Sequence, residues 1–328
     1  MLKMPKVSVI IPVYGVEQYI ERCVDSLFKQ TLDGVEYIFV DDCTPDRSIE
    51  LLCAKIEEYR LRFIKENKNV QLVRMPSNSG LAVVRRIGVQ LAKGDYIIHC
   101  DSDDWIDEDM LRNMYEEGIS KDADVVLCDF CITDGRTHGK VVGACMSIEK
   151  QEFIENLFLN SNTNTWAVWN KLCRRSLYDN NIVYPISAMG EDMVLSFQLI
   201  WNCQRLAYVK KPLYYYFTNP DSITNTLTID SCLRKFYQLK SNVDILIDFF
   251  SDKKLNSKMK AGILLLQYGA KSILYNVIGG KEYYDLWKST YPEITIPLLM
   301  NSNVNIRIKL KIILTYLHLY PSRKFRII

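Results

Sequence analysis

Short apolar runs alternate with stretches of helical spacing through the first hundred residues, and this alternation constrains the fold more than any other feature of the chain. The runs are Val7 to Tyr14, Tyr37 to Val40, Val70 to Val73 and Gly94 to Cys100. Each is nearly continuous in apolar residues, which predicts strands buried on both faces rather than half-exposed ones. Between them, Glu17 to Gln30 puts Ile20, Val24, Leu27 and Phe28 on one helical face. A second helix is predicted to open at Asp46 and to contain Ile49, Leu51, Leu52 and Ile56. A third runs from about Leu81 to Ala92, after the turn signal Asn78-Ser79-Gly80 and with Gly94 as its C-cap. Strands alternating with helices imply βαβ units, hence an α/β fold with a mostly parallel, Rossmann-like sheet flanked by helices.

Two of these strands end in carboxylates. Asp41 and Asp42 close the second, and Asp101, Ser102, Asp103 and Asp104 follow the fourth. Carboxylates packed this closely repel one another at neutral pH. A hard cation, Mn²⁺ or Mg²⁺, removes that repulsion because it takes oxygen ligands and also holds phosphates. Open α/β sheets bind ligands at the carboxyl ends of their strands, so the acidic turn reads as a metal–diphosphate site. The plainer alternative is a turn in which Asp104 caps a helix beginning at Trp105 and Ile106.

These motifs occur in an order that resembles the family-2 glycosyltransferases of the GT-A fold. The stretches that carry the resemblance are Val7 to Tyr14, Phe39-Val40-Asp41-Asp42-Cys43-Thr44-Pro45-Asp46, Asn78 to Gly88, Gly94 to Trp105, Trp169 to Leu177 and Gly190-Glu191-Asp192-Met193. They cover roughly the first two thirds of the chain. The resemblance implies inverting transfer of a sugar from a nucleotide sugar, usually a UDP-sugar, to an acceptor hydroxyl. It implies a GT-A domain over residues 1–226, with a nucleotide and metal half to 122 and an acceptor half from 123. A helical C-terminal region then follows over 227–328.

Site roles follow from the resemblance. Pro12 and Tyr14 supply backbone polar groups and an aromatic wall for the base. Asp42, or Asp41 in its place, accepts the imide N–H of uracil; the competing role for either is capping the helix near Asp46. Gly80 and Arg85 lie on the nucleotide side, where Arg85 reaches the phosphates or makes an ion pair instead. Asp103 is the first choice for the metal, Asp101 binds ribose or a metal-bound water, and Asp104 is an alternative ligand. Asp192 is the general base and Glu191 supports the acceptor or its loop; the plain alternative is pairing of both acids with a helix N-terminus. Trp105, Trp166, Trp169 and Asn170 suit a saccharide pocket, with core packing the competing role for Trp169. Lys171, Arg174 and Arg175 read as an exposed basic helix face.

Two departures from the family pattern stand out. Arg86 occupies a position where the family has Asn, and Phe217, after Tyr214-Tyr215-Tyr216, one where it has Arg, although Ser222 follows as it should. They keep open a catalytically inactive, sugar-nucleotide-binding or scaffold protein. A sugar-nucleotide pyrophosphorylase needs a Gly-rich phosphate loop after the first strand, which Pro12-Val13-Tyr14-Gly15 is not.

Composition fits a cytoplasmic enzyme. Net charge of +2 argues against a nucleic-acid partner. Ten Cys are too few for a disulfide scaffold, and the pair Cys128 and Cys131 lies in a strand-like run with no second pair or His to complete a zinc set. No apolar run reaches the roughly 18 residues a membrane span needs. From Arg307 to Ile328 the chain carries Arg307, Lys309, Lys311, Arg323, Lys324 and Arg326 and no acid. Such a tail could dock on an anionic membrane, which suggests peripheral contact and a lipid-linked saccharide acceptor.

Overall fold

A computed structural model describes residues 4–135, 139–144, 147–159, 166–179, 181–219, 228–278, 281–302 and 304–319. The expected alternation is present: β1 (Val7–Val13), α1 (Ile20–Phe28), β2 (Val35–Asp41), α2 (Ser48–Lys65), β3 (Asn69–Arg74), α3 (Leu81–Leu91) and β4 (Tyr96–His99). Then come β5 (Trp105–Ile106), α4 (Met110–Ser120), β6 (Val125–Thr133), β7 (Lys140–Val142), α5 (Lys150–Leu159), β8 (Lys171–Arg174), α6 (Glu191–Asn202) and β9 (Leu206–Phe217). The remainder is helical: α7 (Ile229–Phe250), α8 (Ser257–Ser272), α9 (Lys281–Ser289), α10 (Thr295–Met300) and α11 (Ile306–Tyr316).

Among the described residues the strands form one sheet in the order β3-β2-β1-β4-β8-β6-β9-β5, with β7 on β6. The first four are parallel, because each returns through a helix. Beyond β4 the sheet is mixed: β8 runs antiparallel to β4 and β6, and β5 antiparallel to β9. The mostly parallel sheet therefore describes the first half of the fold and not the second. Val7, Val9, Ile11, Val13, Tyr37 and Phe39 are buried on one face of β1 and β2, and Ile10, Ile38 and Val40 on the other, so both strands are covered on two sides.

Three local expectations are corrected. Trp105 and Ile106 begin no helix: they pair with Tyr215 and Tyr214 as an edge strand. Gly94 does not cap α3, whose C-cap is Ala92; a Cβ at Gly94 would lie 2.6 Å from the Ser8 backbone nitrogen, so it is glycine to let the chain cross β1. Lys171 to Arg174 form a strand rather than a basic helix face, and Lys171 is buried, donating to the Ala167 carbonyl at 2.5 Å.

The chain divides into two compact units, one of residues 1–153, 164–184 and 195–219, the other of 154–163, 185–194 and 220–328. The boundary expected at 226 lies outside the described residues, as does Ser222. In the second unit, Asn242 on α7 is fully buried. It donates to the carbonyls of Ser187 and Met189 at 2.7 and 2.9 Å. That fixes the segment leading into α6. Among the described residues no helix is long and apolar enough to cross a membrane.

Candidate active site

Parallel register brings the carboxyl ends of β1, β2 and β4 side by side, with Val13 opposite Asp41 and Ile10 opposite His99. The ladder continues past the strands, since Asp42 N–H donates to Val13 O and Cys100 N–H to Ile10 O, both at 3.0 Å. Tyr14, Asp41–Asp42 and Asp101–Asp104 thus leave one edge of the sheet together. Tyr14 is 47% exposed there, while Pro12 is half-buried one step inside β1.

Each carboxylate has a distinct setting. Asp41 accepts the Thr44 N–H at 2.8 Å and lies 3.2 Å from the Arg74 guanidinium. Asp42 accepts from Ser79 N–H at 2.6 Å and Gly80 N–H at 2.9 Å, so it braces the turn that starts α3. Gly80 sits at φ +85°, which an L side chain rarely adopts. Ahead of α2, whose N-cap is Arg47, it is Asp46 that accepts from Ser48 N–H at 3.1 Å and from Glu17 N–H at 2.9 Å. Neither Asp41 nor Asp42 does that work.

In the acidic turn, closed by Asp104 N–H to Asp101 O at 3.1 Å, Asp101 pairs with Arg85 at 2.5 Å. Arg85 is buried in α3, so it is an ion-pair partner for the turn and not an exposed phosphate hook. Asp104 is buried, with its oxygens accepting from the Tyr214 hydroxyl at 2.6 Å and Phe217 N–H at 2.7 Å. Burial, then the charges of Asp103 and Asp101, push its carboxyl well above the usual range. Asp103 keeps an accessible side, accepts from Asn219 Nδ2 at 3.2 Å, and is raised by desolvation.

Among the described residues no group of three His, Cys, Asp or Glu forms a metal cage. The donor set fits a cation of another kind, one held by one or two carboxylates that takes its other ligands from phosphates and water. Asp103 can serve that purpose; Asp104, with both oxygens engaged, fits it less well.

The aromatic residues divide. Trp105 stacks on Tyr215 with centroids 5.4 Å apart. Trp166 is half-buried, its carbonyl accepting from Ser196. Trp169 is 5% exposed and stacks on Tyr214 at 4.3 Å. Asn170 is buried and donates to Cys128 O. Trp169 and Asn170 are thus packed in the interior. His99 is a packed strand residue beside Tyr178, and Cys128 and Cys131 are free thiols. Arg86 is exposed, 5.2 Å from the Tyr184 ring.

The second unit carries Glu191 and Asp192 in the first turn of α6. Glu191 is 3% exposed and Asp192 is partly open. Sequence reasoning missed Asn242 and Arg22. Asn242 gave one signal, a polar residue inside a helical apolar pattern; Arg22 gave none, since its partners are 81 or more residues away.

The mixed sheet with its parallel first half, flanked by helices, is a GT-A-type α/β fold. Residues 8–182 match the profile described as Glycosyl transferase family 2, and the chain belongs to that family of glycosyltransferases. It is 33% identical to the uncharacterized glycosyltransferase EpsJ of Bacillus subtilis over 72% of this chain and 69% of that one. The Staphylococcus aureus enzyme TarS, named a poly(ribitol-phosphate) beta-N-acetylglucosaminyltransferase, is 29% identical over 66% of this chain and 36% of its own length. The crystal structure of TarS residues 1–349 with UDP-GlcNAc superposes with a TM-score of 0.58 at 18% identity, covering 97% and 93% of the two chains. The mannosyltransferase PcManGT of Pyrobaculum calidifontis, solved with GDP-Man and Mn²⁺, gives 0.52 at 14% identity, covering 97% and 87%.

Proposed function

We propose that the protein moves a sugar from a UDP-sugar to an acceptor hydroxyl with inversion, in assembly of a surface polysaccharide. The observation that carries this reading is the shared edge of β1, β2 and β4, where an exposed aromatic, a turn-bracing aspartate and an acidic turn meet. The TarS complex with UDP-GlcNAc and the polymer in that enzyme's name support the donor and acceptor classes. A donor panel assayed for nucleotide release, with and without Mn²⁺, tests it. Absence of turnover on every donor, with UDP still bound, would favour the inactive, nucleotide-binding alternative raised by Phe217 and Arg86.

Tyr14 stacks on the base and Asp42 accepts the uracil imide N–H through lone pairs not used by Ser79 and Gly80. Asp101, steadied by Arg85, faces the ribose or a metal-bound water. Asp103 holds Mn²⁺ or Mg²⁺, supported by the Mn²⁺ in the PcManGT complex. A divalent cation, when bound, supplies Lewis-acid compensation for charge developing on the leaving diphosphate. Asp192 takes the acceptor proton, and Glu191 supports its loop.

Asp42→Ala should weaken UDP binding by roughly 1–3 kcal/mol, the cost of leaving a buried donor without its charged acceptor. Calorimetry giving equal UDP affinity in variant and wild type would move the role to Asp41, or the nucleotide away from uracil.

The acceptor is met at a membrane surface. On α11 and its C-cap Leu317, Ile306, Leu310, Ile313 and Leu317 are 65, 51, 42 and 60% exposed at helical spacing, and Ile296 and Met300 of α10 are 72 and 81% exposed. These apolar side chains face outward beside exposed Arg307 and Lys311, while Ile312 is buried; Arg323, Lys324 and Arg326 lie outside the described residues. An apolar stripe edged by cations suits anionic lipid. Each cation that reaches the surface contributes about 1 kcal/mol, screened as the Debye length falls from about 10 Å at 0.1 M to about 3 Å at 1 M salt. The double substitution Leu310→Asp, Leu317→Asp should abolish co-sedimentation with anionic vesicles and spare hydrolysis of a soluble donor. Full-length protein that ignores such vesicles at low salt would remove the membrane from this reading.

A further inference from the structure

Arg22, on α1, points its guanidinium at the acidic turn. Its Nη2 donates to the Asp103 carbonyl oxygen at 2.9 Å. Its Cζ lies 3.8 Å from the centre of the Trp105 ring and 4.7 Å from that of Phe217. A Cβ on Gly135 would come within 3.2 Å of both Arg22 Nη1 and the Phe217 ring, so the chain there closes tightly around the pair. One helical turn earlier, Tyr19 packs against Phe217 at 5.2 Å, and its hydroxyl meets Asn219, which donates to Asp103. Phe217 is itself held by its N–H bond to Asp104. Arg22 is therefore built into the turn rather than draped over it.

The charges around the turn make its presence consequential. Asp101, Asp103 and Asp104 crowd negative charge where a diphosphate would approach, and Arg85 is in direct contact with Asp101. A guanidinium stays charged at any working pH, and its flat face can lie on aromatic rings while its edge donates. An ammonium has no flat face to lie along two rings while its edge donates.

We infer that Arg22 is a positioning residue for the donor diphosphate: clasped by Trp105 and Phe217, it fixes the Asp103 peptide and keeps a permanent positive charge beside the acidic turn. This rests on the nucleotide-sugar reading above. It gives Phe217 a purpose, as one of the two rings that hold the cation.

The test is calorimetry with UDP on the full chain, with and without Mn²⁺, together with donor kinetics. Arg22→Met keeps the stem and loses the charge. It should weaken UDP binding about tenfold or more even without metal, as expected for loss of a charge-assisted contact, and raise donor KM while the thermal midpoint stays near wild type. Arg22→Lys should recover only part of this. Arg22→Ala should regain UDP affinity when guanidinium ion is added at a non-denaturing concentration, a response that a packing role would not give. Arg22→Met with wild-type UDP affinity in both conditions would overturn the inference. So would Arg22→Ala that guanidinium does not rescue. Wild-type protein that binds no nucleotide would instead overturn the donor reading, and this inference with it.

Discussion

Asp103→Ala is expected to all but abolish sugar transfer while leaving the fold intact. Of the three carboxylates in the turn, Asp101 is paired with Arg85 and Asp104 is bonded to Tyr214 and Phe217. Asp103 keeps an accessible side and accepts from the neutral Asn219 amide at 3.2 Å. If it holds the cation, its loss removes several kcal/mol of transition-state charge stabilisation. At about 1.4 kcal/mol per tenfold, the rate should fall by roughly three orders of magnitude. UDP binding in Mn²⁺ should weaken in parallel. The thermal midpoint should hold, since removing one of several repelling carboxylates opens no core. Asp104→Ala makes the contrast: it strands the Tyr214 hydroxyl and the Phe217 N–H, at about 1–3 kcal/mol per unsatisfied buried group, so its first effect should be a lower midpoint. Unchanged turnover in Asp103→Ala, with a stable but inactive Asp104→Ala, would exchange the two roles.

The parallel half of the sheet was legible because its information is local. A buried parallel strand needs a continuous apolar run, and the residues just past it must be polar and functional, so Val7 to Tyr14 and Gly94 to Asp104 declare both element and edge. What a carboxylate touches was not local. Arg85 lies 16 residues before Asp101, and nothing in the sequence says that the two meet in the interior; the same holds for Tyr214 and Asp104, 110 residues apart. The aromatic residues of the second half are ambiguous in sequence for a related reason. A Trp on a sugar and a Trp in a core look alike until the partner is known, and for Trp169 the partners are Phe130, Tyr214 and Tyr216. Edge strands defeat periodicity altogether: Trp105–Ile106 is too short to show any pattern, and only pairing with β9 makes it a strand. On α11 no pattern in the sequence tells which apolar side chains are covered: Ile312 is buried, whereas Ile313 and Leu317 are exposed.

Asp192→Asn should lower kcat by about 10²–10⁴, the range that general-base catalysis contributes, with donor binding little changed. The amide keeps the size and shape of the carboxylate and loses its capacity to take a proton, so the substitution separates chemistry from packing. Choice between the two acids at the start of α6 follows from access. A base must come within hydrogen-bond reach of the acceptor hydroxyl, and Glu191 is 3% exposed while Asp192 is partly open. Both sit in the first turn of α6, where helix-dipole pairing alone is worth about 0.3–1 kcal/mol, so a purely structural Asp192 would shift the thermal midpoint slightly and kcat not at all. Glu191→Gln should show the reverse signature, a lowered midpoint with kcat less affected, because it changes a buried group beside the segment that Asn242 anchors. Measuring kcat, UDP affinity and midpoint on both variants therefore assigns the base. Wild-type kcat in Asp192→Asn together with a collapse in stably folded Glu191→Gln would transfer the role to Glu191, and full activity in both would place the proton acceptor outside α6.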